Sequence, residues 1–332
     1  MAASLDDPET LRAASGTVRR VLRRLTQRLE IRMIALAIVL AVALSLLSPY
    51  FLTSRNIFNI LDQSVVTGIV AVGMTFVILT GGIDLSVGSV AGLTGIILGL
   101  CAPSVPLPLA ILIAVLSGAG IGLISGVLIA YFGLAAFVVT LGVMAIGRSL
   151  AYIFSGQTAL STIPPEMSGM VYTSVLGIPA NVLFLAALYL LAWAYLTYTK
   201  GGRIIYAVGS NKEAARAAGL NVLFYSILPY VISGALSAVA ITFSIAQILS
   251  ADPLMGNAWE LDAIAAVVIG GASLFGGRGS IIGTLIGVLI MVMIRNGLNL
   301  MGVSPFWQGS AIGSIIIAAL LVESLVSRRV GR

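Results

Sequence analysis

The placement of charge constrains this chain more than any other feature. Eleven charged residues fall in the first 32 positions, and only 19 remain for the next 300. A soluble domain is about 25% charged because its surface must be solvated. Here the figure is 9%, against 59% hydrophobic residues and a mean hydropathy of +1.11. The residues after the basic tail therefore face lipid. A spanning helix takes about 20 apolar residues, which leaves room for about eight to ten spans and no sizeable domain outside the bilayer.

Ten apolar runs follow the tail: Met33–Leu52, Ser64–Thr80, Val87–Cys101, Leu107–Tyr131, Phe137–Phe154, Ala180–Thr199, Leu223–Leu249, Leu261–Phe275, Ile281–Leu300 and Phe306–Val326. Gly, Pro, Ser and Asn separate them, as punctuation should. The expected fold is an all-α polytopic membrane protein of about ten transmembrane helices. The first run is too long for the h-region of a cleaved signal peptide, so it reads as a retained span. Residues 1–32 are then a basic tail, 33–326 a transmembrane domain and 327–332 a C-terminal tail. With both termini in the cytoplasm, all but Arg55, Arg148 and Arg295 of the 18 basic residues fall on the inner side, as the positive-inside rule requires.

The same composition excludes several chemistries. The chain has no His and one Cys, Cys101, so zinc sites, Cys–His nucleophiles and disulfide frameworks are excluded, and no catalytic or metal-binding residues are expected. The two lysines, Lys200 and Lys212, follow Thr199 and Asn211 rather than Gly. No phosphate-binding G-x-x-x-x-G-K-[ST] loop exists, and ATP is not bound by that route. The net charge of +6 reports membrane topology rather than nucleic-acid binding.

Two polar stretches carry information. In the loop over 200–222, Ser210 and Glu213 have capping-box spacing, and alanine, the best helix former, fills the middle. Gly219 sits where a C′ glycine ends a helix. A helix of about two turns, Asn211–Ala218, follows, readable as a solvated turn or as a small-residue anchor for a partner's groove. The second stretch, Ala71–Ser89, is an apolar helix ending in Gly81-Gly82, then Asp84, Ser86 and another helix. Irregular backbone at membrane depth needs protein or a water-filled cavity around it. An ionisable residue there is a functional candidate, although Asp84 could equally cap the helix that follows.

Glu213-Ala214-Ala215, three residues, then Gly219 resembles the EAA-x-x-x-G signature of ATP-binding-cassette importer permeases, and Ile227-Leu228-Pro229 is similar to its I-x-L-P continuation, about two residues early and without the spacer. Gly73-Met74-Thr75 through Thr80-Gly81-Gly82-Ile83-Asp84-Leu85-Ser86-Val87-Gly88-Ser89 resembles the permease subunits of ribose-type sugar importers. So do Glu260–Ser280 and the segment Asn296-Gly297-Leu298-Asn299 with Phe306-Trp307-Gln308. The resemblance runs from about Met33 to Val326; branched-chain amino-acid permeases are more distant relatives.

The resemblance implies an importer-permease fold in the bacterial inner membrane, surrounded by lipid. It implies a second permease chain, forming a homodimer, and two cytoplasmic ATPase subunits that bind ATP and Mg. A periplasmic binding protein would deliver a monosaccharide or sugar-like molecule. The coupling helix would be formed by Asn211, Lys212, Glu213, Ala214, Ala215, Arg216 and Gly219. The outer loop Ser155–Ile178 would receive the binding protein. Sugars need hydroxyl and amide partners, which makes Thr75, Thr80, Asp84, Ser86, Asn296 and Asn299 candidate path residues, although Ser and Thr also bond their own helix backbone. Arg148 and Arg295 need partners or access to water, with Glu260 and Asp262 available. Trp193, Trp259 and Trp307 read as interface anchors or packing. An ion-coupled transporter is the alternative, disfavoured by the absence of His and the scarcity of mid-span acids. A metal-diphosphate enzyme lacks its acid pair.

Overall fold

The structure, a computed structural model, describes residues 29–304 together with 307–310, 313, 314 and 317. The described residues form α1 (Leu29–Leu47), α2 (Ser54–Leu79), α3 (Val87–Cys101), α4 (Leu107–Ala130) and α5 (Ala136–Ser155). A 3-10 turn (Pro165–Ser168), α6 (Gly169–Tyr172) and the hairpin β1 (Ser174–Val175) and β2 (Ile178–Pro179) follow. The rest is α7 (Ala180–Tyr198), α8 (Lys200–Ser210), α9 (Lys212–Ala217), α10 (Val222–Ile248), α11 (Trp259–Ile269) and α12 (Ile281–Leu300). The tenth apolar run, Phe306–Val326, and both tails lie largely outside the described residues.

Among the described residues seven helices, α1, α2, α4, α5, α7, α10 and α12, are long and apolar enough to cross a bilayer. At ~1.5 Å per residue, α2 extends roughly 39 Å, enough for a ~30 Å hydrocarbon core. By the same rise α3 reaches only ~22 Å and α11 only ~16 Å. Each adjoins a glycine-rich break, at residues 80–86 and 270–280. The apolar run beginning at Leu261 ends as helix at Ile269, because Gly271 takes φ +86. In contrast, α2 begins ten residues before the apolar run starting at Ser64. Asn56, Asp62 and Gln63 read as a polar break, yet the helix continues through them because Asn56 and Asp62 find partners inside the protein.

Burial is graded from centre to rim. In the most apolar stretch of α2, 72% is buried, against 6% for α1. Leu46, Leu116 and Leu191 are among the exposed large apolar side chains. The most extensive helix–helix packing joins α4 to α10. Gly118, Gly122 and Gly126 form a four-residue-spaced stripe on α4, and a Cβ at Gly122 would stand 2.1 Å from the Tyr230 carbonyl oxygen. In lipid there is little hydrophobic drive between helices, so small residues that let backbones meet provide the association energy. At Gly118 a Cβ would likewise stand 2.4 Å from the Gly234 carbonyl.

The loop over 156–179 is packed down rather than free. Leu160 and Ala251 exchange backbone hydrogen bonds of 2.8 and 2.9 Å, Thr162 donates to the Gly99 carbonyl at 2.6 Å, and Met167 is fully buried. The hairpin tip remains outside, with Leu176 98% exposed.

Candidate functional site

The loop over 200–222 folds into two short helices. Thr199 caps α8 by accepting from the Gly202 N–H at 3.0 Å. The cap of α9 is Asn211, whose Oδ1 accepts from the Ala214 N–H at 2.9 Å. Ser210 is instead the last residue of α8, and Glu213 pairs with Arg216 at 2.9 Å. Asn is as good a cap as Ser, so the capping position moves one residue along. Lys212 opens α9, exposed like Ala214. Ala215 alone turns inward, packing with Val208 and Val222 in a small second core. Gly219, at φ +75, closes the helix. Its N–H bonds the Arg216 carbonyl at 3.0 Å while the Leu220 N–H bonds that of Ala215 at 3.1 Å, the paired bonds of a Schellman stop.

This segment is seated on the two glycine-rich breaks. A Cβ at Gly209 would lie 1.8 Å from the Leu79 carbonyl, which also accepts from the Gly277 N–H at 2.9 Å. The Tyr206 hydroxyl donates to the Gly279 carbonyl at 3.0 Å. The end of α2, the segment before α12 and the α8–α9 unit thus meet at backbone contact distance, where displacement of one is passed to the others rather than absorbed.

Asp84 lies next to this junction and is buried. Its Oδ1 accepts from the Ser86 N–H at 3.0 Å and the Ser86 hydroxyl at 2.6 Å, and its Oδ2 from the Ser233 hydroxyl at 2.7 Å. The carboxylate thereby joins the start of α3 to the middle of α10. Asp84→Ala removes the acceptor from three buried donors. At ~1–3 kcal/mol for an orphaned buried group, a fall in detergent-solubilised thermal midpoint of several degrees is expected, with a smaller fall for Ser233→Ala; equal midpoints for wild type and Asp84→Ala would refute this role.

The other candidate path residues are placed as follows. Thr75 donates to the Ala71 carbonyl and meets Thr284 at 2.9 Å. Asn296 and Asn56 exchange two amide bonds of 2.9 Å. Asn299 accepts from Gln308 at 2.6 Å. Thr80 bonds its own helix at Val77 and also lines a cavity of about 650 Å³ beside Gly81, Lys212, Arg216, Ser226 and Tyr230. The structure therefore brings Thr80 beside α9, while Thr75 and Asn296 join helices to one another and Asn299 bonds Gln308 just beyond α12.

A second polar cavity, of about 230 Å³, lies between α2, α10, α11 and α12, at the end of the bundle opposite α9. Its lining includes Asp62, Gln247, Trp259, Asp262 and Arg295. Gln247 donates to Asp62 at 3.0 Å, Asn181 donates to the other Asp62 oxygen, and Arg295 pairs with Asp262 at 2.8 Å. Arg148 takes a different solution, donating to the Pro253 and Met255 carbonyls. Asp62 was the findable signal: an acid between Leu61 and a long apolar run is a candidate once the helix is extended to Ser54.

The family described as "Branched-chain amino acid transport system / permease component" matches residues 56–322. The chain is 42% identical to the ribose import permease protein RbsC of Escherichia coli (strain K12), over 85% of this chain and 89% of that protein. It is 38% identical to the D-allose transport system permease protein AlsC of the same strain, over 86% and 88%. Identity to the galactose/methyl galactoside import permease protein MglC is 36%, over 83% and 88%. With seven apolar helices of spanning length among the described residues, it is a multi-pass protein of the inner membrane. A family match across residues 56–322 and such identity to complete permeases place it plainly: this chain belongs to the permease family of ATP-binding-cassette importers, in its ribose-type branch.

Proposed function

We propose that this chain is the membrane-spanning subunit of an ATP-driven importer, forming the path for a monosaccharide or sugar-like solute. The relatives, permeases of ribose, allose and galactose import, support the cargo class. The observation that carries the coupling role is α9, capped at both ends and anchored by Ala215 against Val208 and Val222. It presents Lys212, Glu213, Ala214 and Arg216 outward while α8 rests against Leu79 and Gly277. A push on α9 then reaches both glycine-rich breaks through backbone contact.

In this reading the basic end of the bundle is cytoplasmic and two ATPase subunits, which hold ATP and Mg, dock on the α9 helices of two copies of this permease. Closure of the ATPase pair moves α8–α9 and rocks the spans between inward- and outward-open states. Residues 1–32 are a cytoplasmic tail, and the loop Ser155–Ile178 faces the periplasmic binding protein. Permease chemistry is confined to shaping a path, with hydrolysis in the partner.

The test is assembly. Co-expressed ATPase subunits are expected to co-purify with the wild type and to be lost when Glu213→Ala and Gly219→Val are combined. The exposed Glu213–Arg216 pair contributes at most about 1 kcal/mol to stability, and a β-branched residue at positive φ dismantles the helix stop. The permease itself should remain monodisperse. ATPase retention by the double variant would sink the coupling assignment.

A further inference from the structure

We propose that the 230 Å³ cavity between α2, α10, α11 and α12 is a solute site of the permease itself, recognising a single polyhydroxylated, uncharged ring such as a monosaccharide. The inference rests on the importer reading above and adds to it a place where the cargo is held after delivery.

The lining has the chemistry that such a solute needs. Each Asp62 oxygen accepts one amide N–H, from Asn181 or from Gln247. A carboxylate offers about four lone-pair sites, so acceptors remain for solute hydroxyls. Arg295 bonds Asp262 through one nitrogen, and a guanidinium carries five donors, which leaves donors for solute oxygens. Trp259 and the apolar side chains Met291 and Val292 complete the wall, matching the C–H face of a sugar ring. Drug-sized ligands occupy about 300–1,000 Å³, so a 230 Å³ cavity takes something smaller.

Charge narrows the class. Two carboxylates face one guanidinium, which disfavours anionic solutes. Asp62 already receives amide donors at both oxygens, and those N–H dipoles oppose a cation in their place. A neutral solute with many hydroxyls satisfies both restrictions. Location agrees as well: Asp62 lies near the start of α2, Gln247 in the last turn of α10 and Trp259 at the first position of α11. All are at the end away from α9, where a delivered solute would arrive.

The experiment uses the assembled transporter in nanodiscs without its binding protein, probed by saturation-transfer NMR with D-ribose, D-allose and D-galactose. At least one is expected to bind saturably. Asp62→Asn and Trp259→Leu should each weaken that binding at least tenfold while the complex stays intact. Ser244→Leu, which adds bulk at the cavity wall without removing a hydrogen-bond partner of Asp62 or Asp262, should do the same and stands in if the other variants fail to assemble. A parallel uptake assay with the binding protein separates the outcomes. Uptake of a sugar without saturable binding to the isolated complex, or with binding unchanged in the Ser244→Leu variant, overturns the site and leaves the import function standing. Absence of uptake for every sugar, with a non-sugar carried instead, overturns the proposed function and this site with it.

Discussion

Replacing Gly122 with leucine is expected to eliminate the folded permease, whereas the same change two residues away at Gly120 is expected to be nearly silent. At Gly122 even the first added carbon would stand 2.1 Å from the Tyr230 carbonyl oxygen and 2.8 Å from its carbon. The closest comfortable C···O approach is about 3.3 Å, so α4 and α10 must separate by roughly 1 Å over their length. Overpacking a core typically costs about 1–3 kcal/mol. Here the obstruction is helix backbone, which does not turn aside as a side chain does, and separation also breaks the neighbouring contact between Gly118 and Gly234. Gly120 has nothing within 4 Å of its Cβ position, and a leucine there enters open space. The readout is the yield of monodisperse protein in detergent and its thermal midpoint. Comparable behaviour of the two variants would show that the glycine stripe does not hold α4 to α10.

The second large effect concerns the charge pair between α11 and α12. Arg295→Leu is expected to destabilise the protein by about 2–4 kcal/mol, and Asp262→Asn combined with Arg295→Gln to recover most of that loss. The physical reason is asymmetry. Removing one partner of a buried pair leaves an uncompensated charge, at about 3–5 kcal/mol, whereas neutralising both can be almost neutral. The Asp262 side chain is 9% exposed and that of Arg295 39%, and this partial access to solvent brings the figure below the fully buried value. A double-mutant cycle on thermal unfolding gives the coupling energy directly. If the single variant is as stable as the wild type, or the double variant is no better than the single, the pair is not what holds α11 to α12 at this end.

These two sites differ in how far the sequence announces them. The glycines at 118, 122 and 126 are visible as a four-residue spacing, but their partner, α10, is named by nothing in α4. The acids and Arg295 are visible as rare charges in apolar surroundings, and Asp262 and Glu260 stand equally near in sequence as partners for Arg295. In three dimensions Arg295 takes Asp262, while Arg148 turns to the Pro253 and Met255 carbonyls. Asp84 shows the same division: its place beside Gly81-Gly82 marks it as unusual, but its bond to Ser233 joins positions far apart in the chain.

By itself, then, the amino-acid sequence determined the lipid setting, the helical class, most helix limits and the short two-capped helix that follows Ser210. Each of these depends on local chemistry: hydropathy over about 20 residues, a cap, a glycine at positive φ. What only the tertiary structure decided is the direction in which polar side chains point. Spanning helices are apolar on nearly every side, so no periodic polar face announces the interior, and lipid and protein present similar surfaces to a leucine. Thr75, Asn56 and Asn296 consequently bond across helices, while Asp62, Gln247 and Trp259, drawn from three separate helices, converge on one cavity.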